Sequence, residues 1–137
     1  MKVLVPSAST AVRTQLALLL ALALCQAGAL AAGRKATVQG WVIDSACYFV
    51  KDLKKPISGT CALECAAGGS PLVILGDDAV VYWPIDDQMP ARGQNFRLVK
   101  FAGQRVKVSG MLFERGSSKA LVIETINMIA APNKGSK

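Results

Sequence analysis

Five short runs of β-forming residues recur along the chain, and each run ends at residues typical of turns. Within a run, apolar and polar side chains alternate, or several apolar residues stand together, as in half-buried or fully buried strands. Strands this short bury their apolar faces only by packing together, so the pattern predicts a small all-β domain. The predicted strands are Thr37–Asp44, Pro71–Leu75, Ala79–Trp83, Gln104–Glu114 and Ala120–Ile129.

Two short helices are predicted between these strands. The first covers Cys61–Ala67, with Thr60 as its N-cap and the glycine pair that follows Ala67 as its stop. The second covers Asn95–Ala102, where apolar residues recur at helical spacing. Lysines and a proline in Tyr48–Ser58 are typical of a loop, so no element is predicted there.

This order of elements predicts a five-stranded, OB-fold-like Greek-key barrel. Five strands, a short cysteine-bearing helix after the first and a helix between the third and fourth fit that fold. The apolar phase of the last strand slips by one residue near Glu124, as at a β-bulge, and bulges help a sheet to close. A five-stranded sandwich is the alternative. The barrel is expected to span residues 37–130, between a flexible N-terminus at 32–36 and a disordered tail at 131–137.

The first 31 residues have the organisation of a secretory signal peptide. Lys2 and Arg13 precede a run of Leu and Ala at Leu16–Leu24, and small residues suited to a peptidase follow it. The mature chain is therefore expected to begin at Ala32 and to be periplasmic or secreted. An uncleaved anchor and lipidation at Cys25 are the alternatives. Otherwise we expect membrane contact only through the signal peptide, before cleavage.

The charged residues predict a basic but dispersed surface. The chain has 16 Lys and Arg against 9 Asp and Glu, a formal net charge of +7, and two of the basic residues lie in the predicted signal peptide. The remaining charges form no run of five like residues, which is typical of a solvated surface rather than an anion-binding patch. Together with export, this distribution predicts no nucleic-acid partner.

Three cysteines remain after the predicted cleavage: Cys47, Cys61 and Cys65. Thiols that lie close together outside the cytoplasm tend to oxidise, so we predict a disulfide from Cys47 to one helical cysteine. It would close a loop of about 15 to 19 residues and contribute on the order of 3 kcal/mol to stability. Cys61 and Cys65 are four residues apart and lie on one helix face, so both can face Cys47. One thiol is then left over.

Three uses of the leftover thiol remain open. It can attack the disulfide or pair with another chain, or it can pack as a small apolar side chain. Alternatively, the three thiolates of Cys47, Cys61 and Cys65 can hold copper(I) or zinc. The alternative to a disulfide-stabilised binding module is therefore a periplasmic copper- or zinc-binding or thiol-redox factor that uses these cysteines.

The absence of histidine argues against an enzyme. None occurs among the 137 residues, so the commonest general base in catalysis is missing. Nucleophile-elbow, phosphate-loop and zinc-protease motifs are also missing. We predict an exported, non-enzymatic binding or accessory module without a cofactor, whose partner is a small ligand or another protein.

Four further residues are candidate ligand contacts. Trp41, Tyr82 and Trp83 supply aromatic rings for a stacking surface of the kind that OB-folds use, although their strand positions also suit core packing. Asp44 ends the first predicted strand. A carboxylate there can bind a cation or act as a base, but more often it caps the following turn.

Four segments carry a resemblance to a known family. They are a Gly-x-Val-x-Asp-Ser-x-Cys strand at Gly40–Cys47, a Cys-x3-Cys helix at Cys61–Cys65, Gly-x-Pro at Gly69–Pro71, and Phe-Ala-Gly-x-x-Val-x-Val-x-Gly at Phe101–Gly110. In these motifs the chain resembles a group of small exported bacterial proteins without an assigned activity. The resemblance covers nearly all of Thr37–Ile129 and implies an OB-type barrel. It implies no particular function.

Overall fold

The alternating segments form five strands in the computed structural model, which describes residues 33–52 and 58–131. The predicted signal peptide and nearly all of the predicted tail lie outside the described residues. No helix within the described ranges is long and apolar enough to span a bilayer. The elements in chain order are β1 Arg34–Asp44, α1 Ser45–Val50, α2 Gly59–Ala67, β2 Leu72–Gly76, β3 Val81–Pro84, α3 Asn95–Leu98, a 3-10 turn Val99–Phe101, β4 Arg105–Arg115 and β5 Ser118–Met128.

The strands form a closed barrel in the order β1-β2-β3-β5-β4. The first half of β1 pairs with β4 and its second half with β2, both antiparallel, and this double pairing closes the barrel. The β3–β5 pair is parallel, whereas β2–β3 and β4–β5 are antiparallel. This arrangement confirms the predicted all-β, OB-fold-like barrel with a helix between the third and fourth strands.

Alternate residues of the long strands fill the barrel interior, as the period of two in a strand requires. Val42, Val106 and Val108 are completely buried there. Strand β2 is buried along its whole length because both of its faces are covered. Leu72 and Ile74 belong to the interior core. Val73 and Leu75 point the other way and pack in a second apolar cluster on the outer face.

The predicted bulge is present near Glu124. Ser109 of β4 lies opposite Thr125, whereas Gly110 lies opposite Ile123, so Glu124 is the extra residue on β5. The bulge bends β5 at the point where the sheet must curve to close.

The strand that begins the barrel is longer than predicted. Arg34 already pairs with Leu112, and its guanidinium donates a hydrogen bond to Glu114 at 2.8 Å. Residues 34–36 therefore belong to β1, and the prediction of a flexible segment over 32–36 is wrong for them. Cross-strand pairing with β4 extends the sheet past the point where apolar alternation ends.

The helices also differ in extent from the prediction. Helix α1 occupies Ser45–Val50, so the start of the predicted loop Tyr48–Ser58 is helical. Helix α2 begins at Gly59, and its N-cap is Ser58 rather than Thr60. The helix predicted over Asn95–Ala102 is a single α-turn followed by a 3-10 turn.

We expect the folded protein to lose stability at high pH, because the pKa of Tyr82 is raised in the fold. Burial, a 2.7 Å hydrogen bond that its hydroxyl donates to Asp78, and the negative charge of Asp78 together raise the pKa of Tyr82 to about 12. The neutral phenol is therefore favoured in the folded state. Its stabilising contribution is complete below the ordinary pKa of about 10 and is lost as the pH rises to about 12.

We expect the free energy of unfolding to fall by about 2 kcal/mol more in the wild type than in Tyr82→Phe between pH 10 and pH 12. Urea unfolding of both proteins at several pH values measures the difference. Other groups titrate in this range in both proteins, so Tyr82→Phe serves as the control for them. Parallel stability curves would contradict the assignment.

Candidate metal centre

Two helix caps position two of the cysteines. Asp44 ends β1 with an extended backbone, and its Oδ1 accepts a hydrogen bond from the backbone N–H of Cys47 at 2.6 Å. Ser58 does the same for α2, since its Oγ accepts the N–H of Cys61 at 3.2 Å. In both helices the capping side chain precedes a cysteine by three residues, which is the usual spacing of such a cap. Asp44 thus caps the turn that follows the first strand, as predicted, and this turn begins helix α1.

Helix α2 is held against the barrel by a close backbone approach. Gly103 has a φ of +73°, and a Cβ atom there would lie 2.5 Å from the Cα of Gly59. The N–H of Gly103 donates to the carbonyl of Val42 in β1 at 2.9 Å, while Ala62 packs into the barrel core. The start of α2, which carries Cys61, is therefore fixed relative to the end of β1, and Cys47 follows three residues later in α1.

The three cysteine sulfurs converge on one place. The Sγ of Cys47 lies 3.4 Å from that of Cys61 and 3.5 Å from that of Cys65. All three sulfurs lie within 4.8 Å of one another. Cys47 is buried, with 4 % of its surface exposed, whereas the two α2 cysteines are partly buried. The predicted proximity of Cys47 to Cys61 and Cys65 is confirmed.

The predicted disulfide is not formed. A disulfide requires an S–S distance of about 2.05 Å, and no pair of the three described cysteines is that close. The Cys47 sulfur lies at nearly equal distances from its two neighbours instead of turning toward one of them. The i, i+4 spacing of Cys61 and Cys65 places both of their sulfurs at this similar distance from Cys47.

The carboxylate of Asp44 lies beside this cluster. Asp44 is only 1 % exposed, and its Oδ2 has no hydrogen bond of normal geometry within the described ranges. Burial raises the pKa of Asp44, but the Ser70 hydroxyl, the Cys47 N–H and the thiols of Cys47 and Cys65 together outweigh it and hold the pKa below its usual value. The side chain is therefore an ionised, buried carboxylate.

Ser70 reaches this position because the chain around it is fixed by Asn95. The side-chain amide of Asn95 donates to the carbonyl of Ser70 and accepts from the N–H of Leu72, both at 2.8 Å. The Ser70 hydroxyl is buried and, like the Oδ2 of Asp44, has no hydrogen bond of normal geometry in the described part of the chain. The buried Ser70 hydroxyl thus lies beside the buried Asp44 carboxylate.

Two of the thiols, those of Cys47 and Cys65, hold their protons at neutral pH. Hydrogen bonds with Cys61, Asp44 and Cys65, together with burial, raise the pKa of Cys47 to about 12. The hydrogen bond from Cys47 lowers the pKa of Cys65, but burial and the negative charge of Asp44 outweigh it and leave that pKa raised. A metal ion binds the thiolate form, so binding would displace these protons.

The predicted aromatic contacts do not form one surface. Trp41 and Trp83 pack on the outer cluster, whereas Tyr82 faces the barrel interior and is 6 % exposed. Neighbouring residues of a strand point to opposite faces, so Tyr82 and Trp83 are separated by the sheet itself. Of the four candidate ligand contacts, only Asp44 lies at the cysteine cluster.

Two residues of the centre were not predicted. Ser58 caps α2, and the signal for it is its position three residues before Cys61, the same spacing as between Asp44 and Cys47. Ser70 carries no such signal, because only the folded barrel brings it to Asp44.

Comparisons of the chain with protein-family models, with curated proteins and with solved structures gave no match.

Proposed function

We propose that this protein is an exported module that binds one thiophilic metal ion, zinc or copper(I), through Cys47, Cys61 and Cys65. The observation that carries the proposal is the convergence of three sulfurs from two separate helices. The N-terminal sequence pattern supports export. The proposed role is binding rather than catalysis.

The sulfur positions match the size of a metal–thiolate site. Sulfurs with separations of 3.4 Å, 3.5 Å and at most 4.8 Å have a common point about 2.0 to 2.4 Å from each of them, and a zinc–thiolate bond is about 2.3 Å long. Binding therefore requires deprotonation of the thiols and little movement of the backbone.

The donor set selects the class of ion. Thiolates are soft ligands that prefer copper(I) and zinc over magnesium, calcium or manganese. The chain has no histidine, so imidazole cannot contribute. A metal ion in this position would also link α1 to α2 and so stabilise the fold, as in other small domains that bind zinc.

The test is metal loading of the reduced protein. Native mass spectrometry of the protein purified under reducing conditions is expected to show one zinc or one copper(I) per chain after addition of either ion. The melting temperature is expected to rise with metal, and an ion at about 100 times its Kd adds about 2.7 kcal/mol to stability. Two results would contradict the proposal: a chain that stays metal-free, or protein from the periplasm that is about 2 Da lighter than the thiol form and takes up no ion.

A further inference from the structure

We propose that zinc bound by the three cysteines keeps one coordination position open to solvent, and that a thiol of another molecule binds there and takes the ion over. The site is thus a zinc-transfer site rather than a closed structural one. This inference rests on the proposed function and deepens it, because it names thiols as the class of molecule that exchanges zinc with the protein.

The chain supplies only three strong ligands for the ion. It has four cysteines, no histidine and nine Asp and Glu residues. Cys25 lies in the predicted signal peptide, whereas all nine acidic residues lie within the described ranges. Among the residues that the structure describes, no carboxylate joins the three sulfurs in a group of possible metal ligands.

The carboxylate of Asp44 lies beside the sulfurs but has other partners. It accepts the N–H of Cys47 at 2.6 Å, which completes the N-cap of α1. The Ser70 hydroxyl and the thiols of Cys47 and Cys65 also donate toward it. Asp44 therefore belongs to the support of the cluster and does not complete the coordination of the ion.

Three protein ligands leave a zinc ion incomplete. Structural zinc sites are closed by four protein ligands, whereas sites with three protein ligands hold water or another molecule in the fourth position. Since Cys47, Cys61 and Cys65 are the three available ligands, the fourth ligand of zinc must come from outside the chain.

The open position lies toward the solvent side of α2. On this helix Ala62 is buried in the barrel core and Ala66 packs against that core, whereas Glu64 is exposed. Cys61 and Cys65 are partly buried, so they lie at the border between the buried and exposed faces of the helix. A molecule in solution can therefore reach an ion held by these sulfurs from the side of Glu64.

A thiol is the ligand best suited to take zinc from this site. Soft sulfur ligands compete for the ion more effectively than hard oxygen ligands. The incoming thiol releases its proton, and its sulfur forms a bond to zinc at the open position. The bond from zinc to Cys61 or Cys65 then breaks, and the freed sulfur takes up a proton, so that neither the net charge nor any oxidation state changes. Cys47 is expected to leave last because only 4 % of its surface is exposed.

The experiment measures how fast zinc leaves the loaded, reduced protein. A chromophoric zinc indicator without thiols is kept at a fixed concentration, and glutathione is added over a wide range of concentrations. S-methylglutathione, which is similar in size but has no thiol, is the matched control. A folded protein with one exposed cysteine and no other zinc ligand, used at the same thiol concentrations, distinguishes protein thiols from small thiols.

We expect the rate of zinc release to rise in proportion to the glutathione concentration, because the thiol binds zinc before a cysteine leaves. S-methylglutathione should leave the rate unchanged. Acceleration by the cysteine-bearing protein as well would assign the acceptor to thiols in general, whereas acceleration by glutathione alone would restrict it to small thiols.

Glu64→Gln tests whether the chain itself fills the fourth position, since Glu64 is the exposed acidic residue between the two α2 cysteines. Asp87→Asn, which removes a carboxylate from an exposed loop residue, is the matched control. In chelator competition both variants are expected to keep a zinc affinity within about fivefold of wild type, the size of an ordinary surface-charge effect.

Several results would overturn the inference while the proposed function stands. They are a release rate that does not depend on glutathione, a rate that S-methylglutathione raises equally, and a wild type that binds copper(I) but no zinc. A much larger loss of zinc affinity in Glu64→Gln than in Asp87→Asn would also overturn it, because the chain would then close the site itself. If wild type binds neither ion, the proposed function fails, and the inference fails with it.

Discussion

Replacing Cys47 with serine is expected to weaken both zinc and copper(I) binding by roughly 100-fold or more. The free energy of zinc binding to structural sites is about 10 to 16 kcal/mol for four ligands, or roughly 3 kcal/mol for each ligand. Losing one ligand therefore corresponds to a loss of affinity of about a factor of 100. Cys47 should be the most sensitive of the three cysteines because it is the most buried and lies closest to both other sulfurs. Water cannot easily take its place.

The same substitution at Cys61 or Cys65 is expected to cost less, since both are partly open to solvent and a water molecule can serve as a replacement ligand. Chelator competition measures all three variants. Thr60→Ser, on the exposed side of the same helix, is the control that changes a side chain without touching the cluster. Binding by Cys47→Ser within tenfold of wild type would contradict a site centred on these sulfurs.

Replacing Gly103 with alanine is expected to destabilise the fold by at least about 3 kcal/mol. The left-handed backbone alone costs an L-residue about 1 to 2 kcal/mol. The new Cβ would also lie 2.5 Å from the Cα of Gly59, and backbone atoms cannot move aside as a side chain can. Metal affinity should fall in the same variant, because displacing Gly59 moves α2, and Cys61 with it, away from Cys47.

Gly116 provides a matched control for that experiment. It also has a positive φ, +57°, but a Cβ added there would meet nothing within 4 Å. Gly116→Ala should therefore lower the free energy of unfolding only by the cost of the left-handed backbone, about 1 kcal/mol. Its metal affinity should match the wild type. Urea unfolding of the two variants separates the contributions. Equal losses would show that the contact with Gly59 does not matter.

The barrel could be predicted because its signals are local. Alternation with a period of two fixes which side of β4 faces the core, and the one-residue slip near Glu124 marks the bulge before any partner strand is known. The helices were harder to predict because their ends depend on caps. The Lys- and Pro-containing stretch after Cys47 is typical of a loop, yet the Asp44 cap begins a helix at Ser45.

The candidate site was predicted in part. The cysteine spacing places Cys61 and Cys65 on one helix face toward Cys47, but it does not decide between a bonded pair and three sulfurs around one point. The Sγ atoms of Cys47 and Cys61 lie 3.4 Å apart, whereas a disulfide would hold them about 2 Å apart. The spacing of cysteines along the chain does not predict a difference of this size. The contact between Ser70 and Asp44 depends on the fold, because residues 26 apart meet only in the assembled barrel. Export and the family resemblance stay predictions.

The double pairing of β1 has a consequence for self-association. A strand at an open sheet edge exposes unpaired N–H and C=O groups, on which a strand of another molecule can add. Here the long first strand uses β4 along its first half and β2 along its second, so its backbone is occupied within the chain. Strand β1 is therefore protected from edge-to-edge aggregation by its pairing with β2 and β4. This protection does not depend on charged side chains that repel a second copy of the chain.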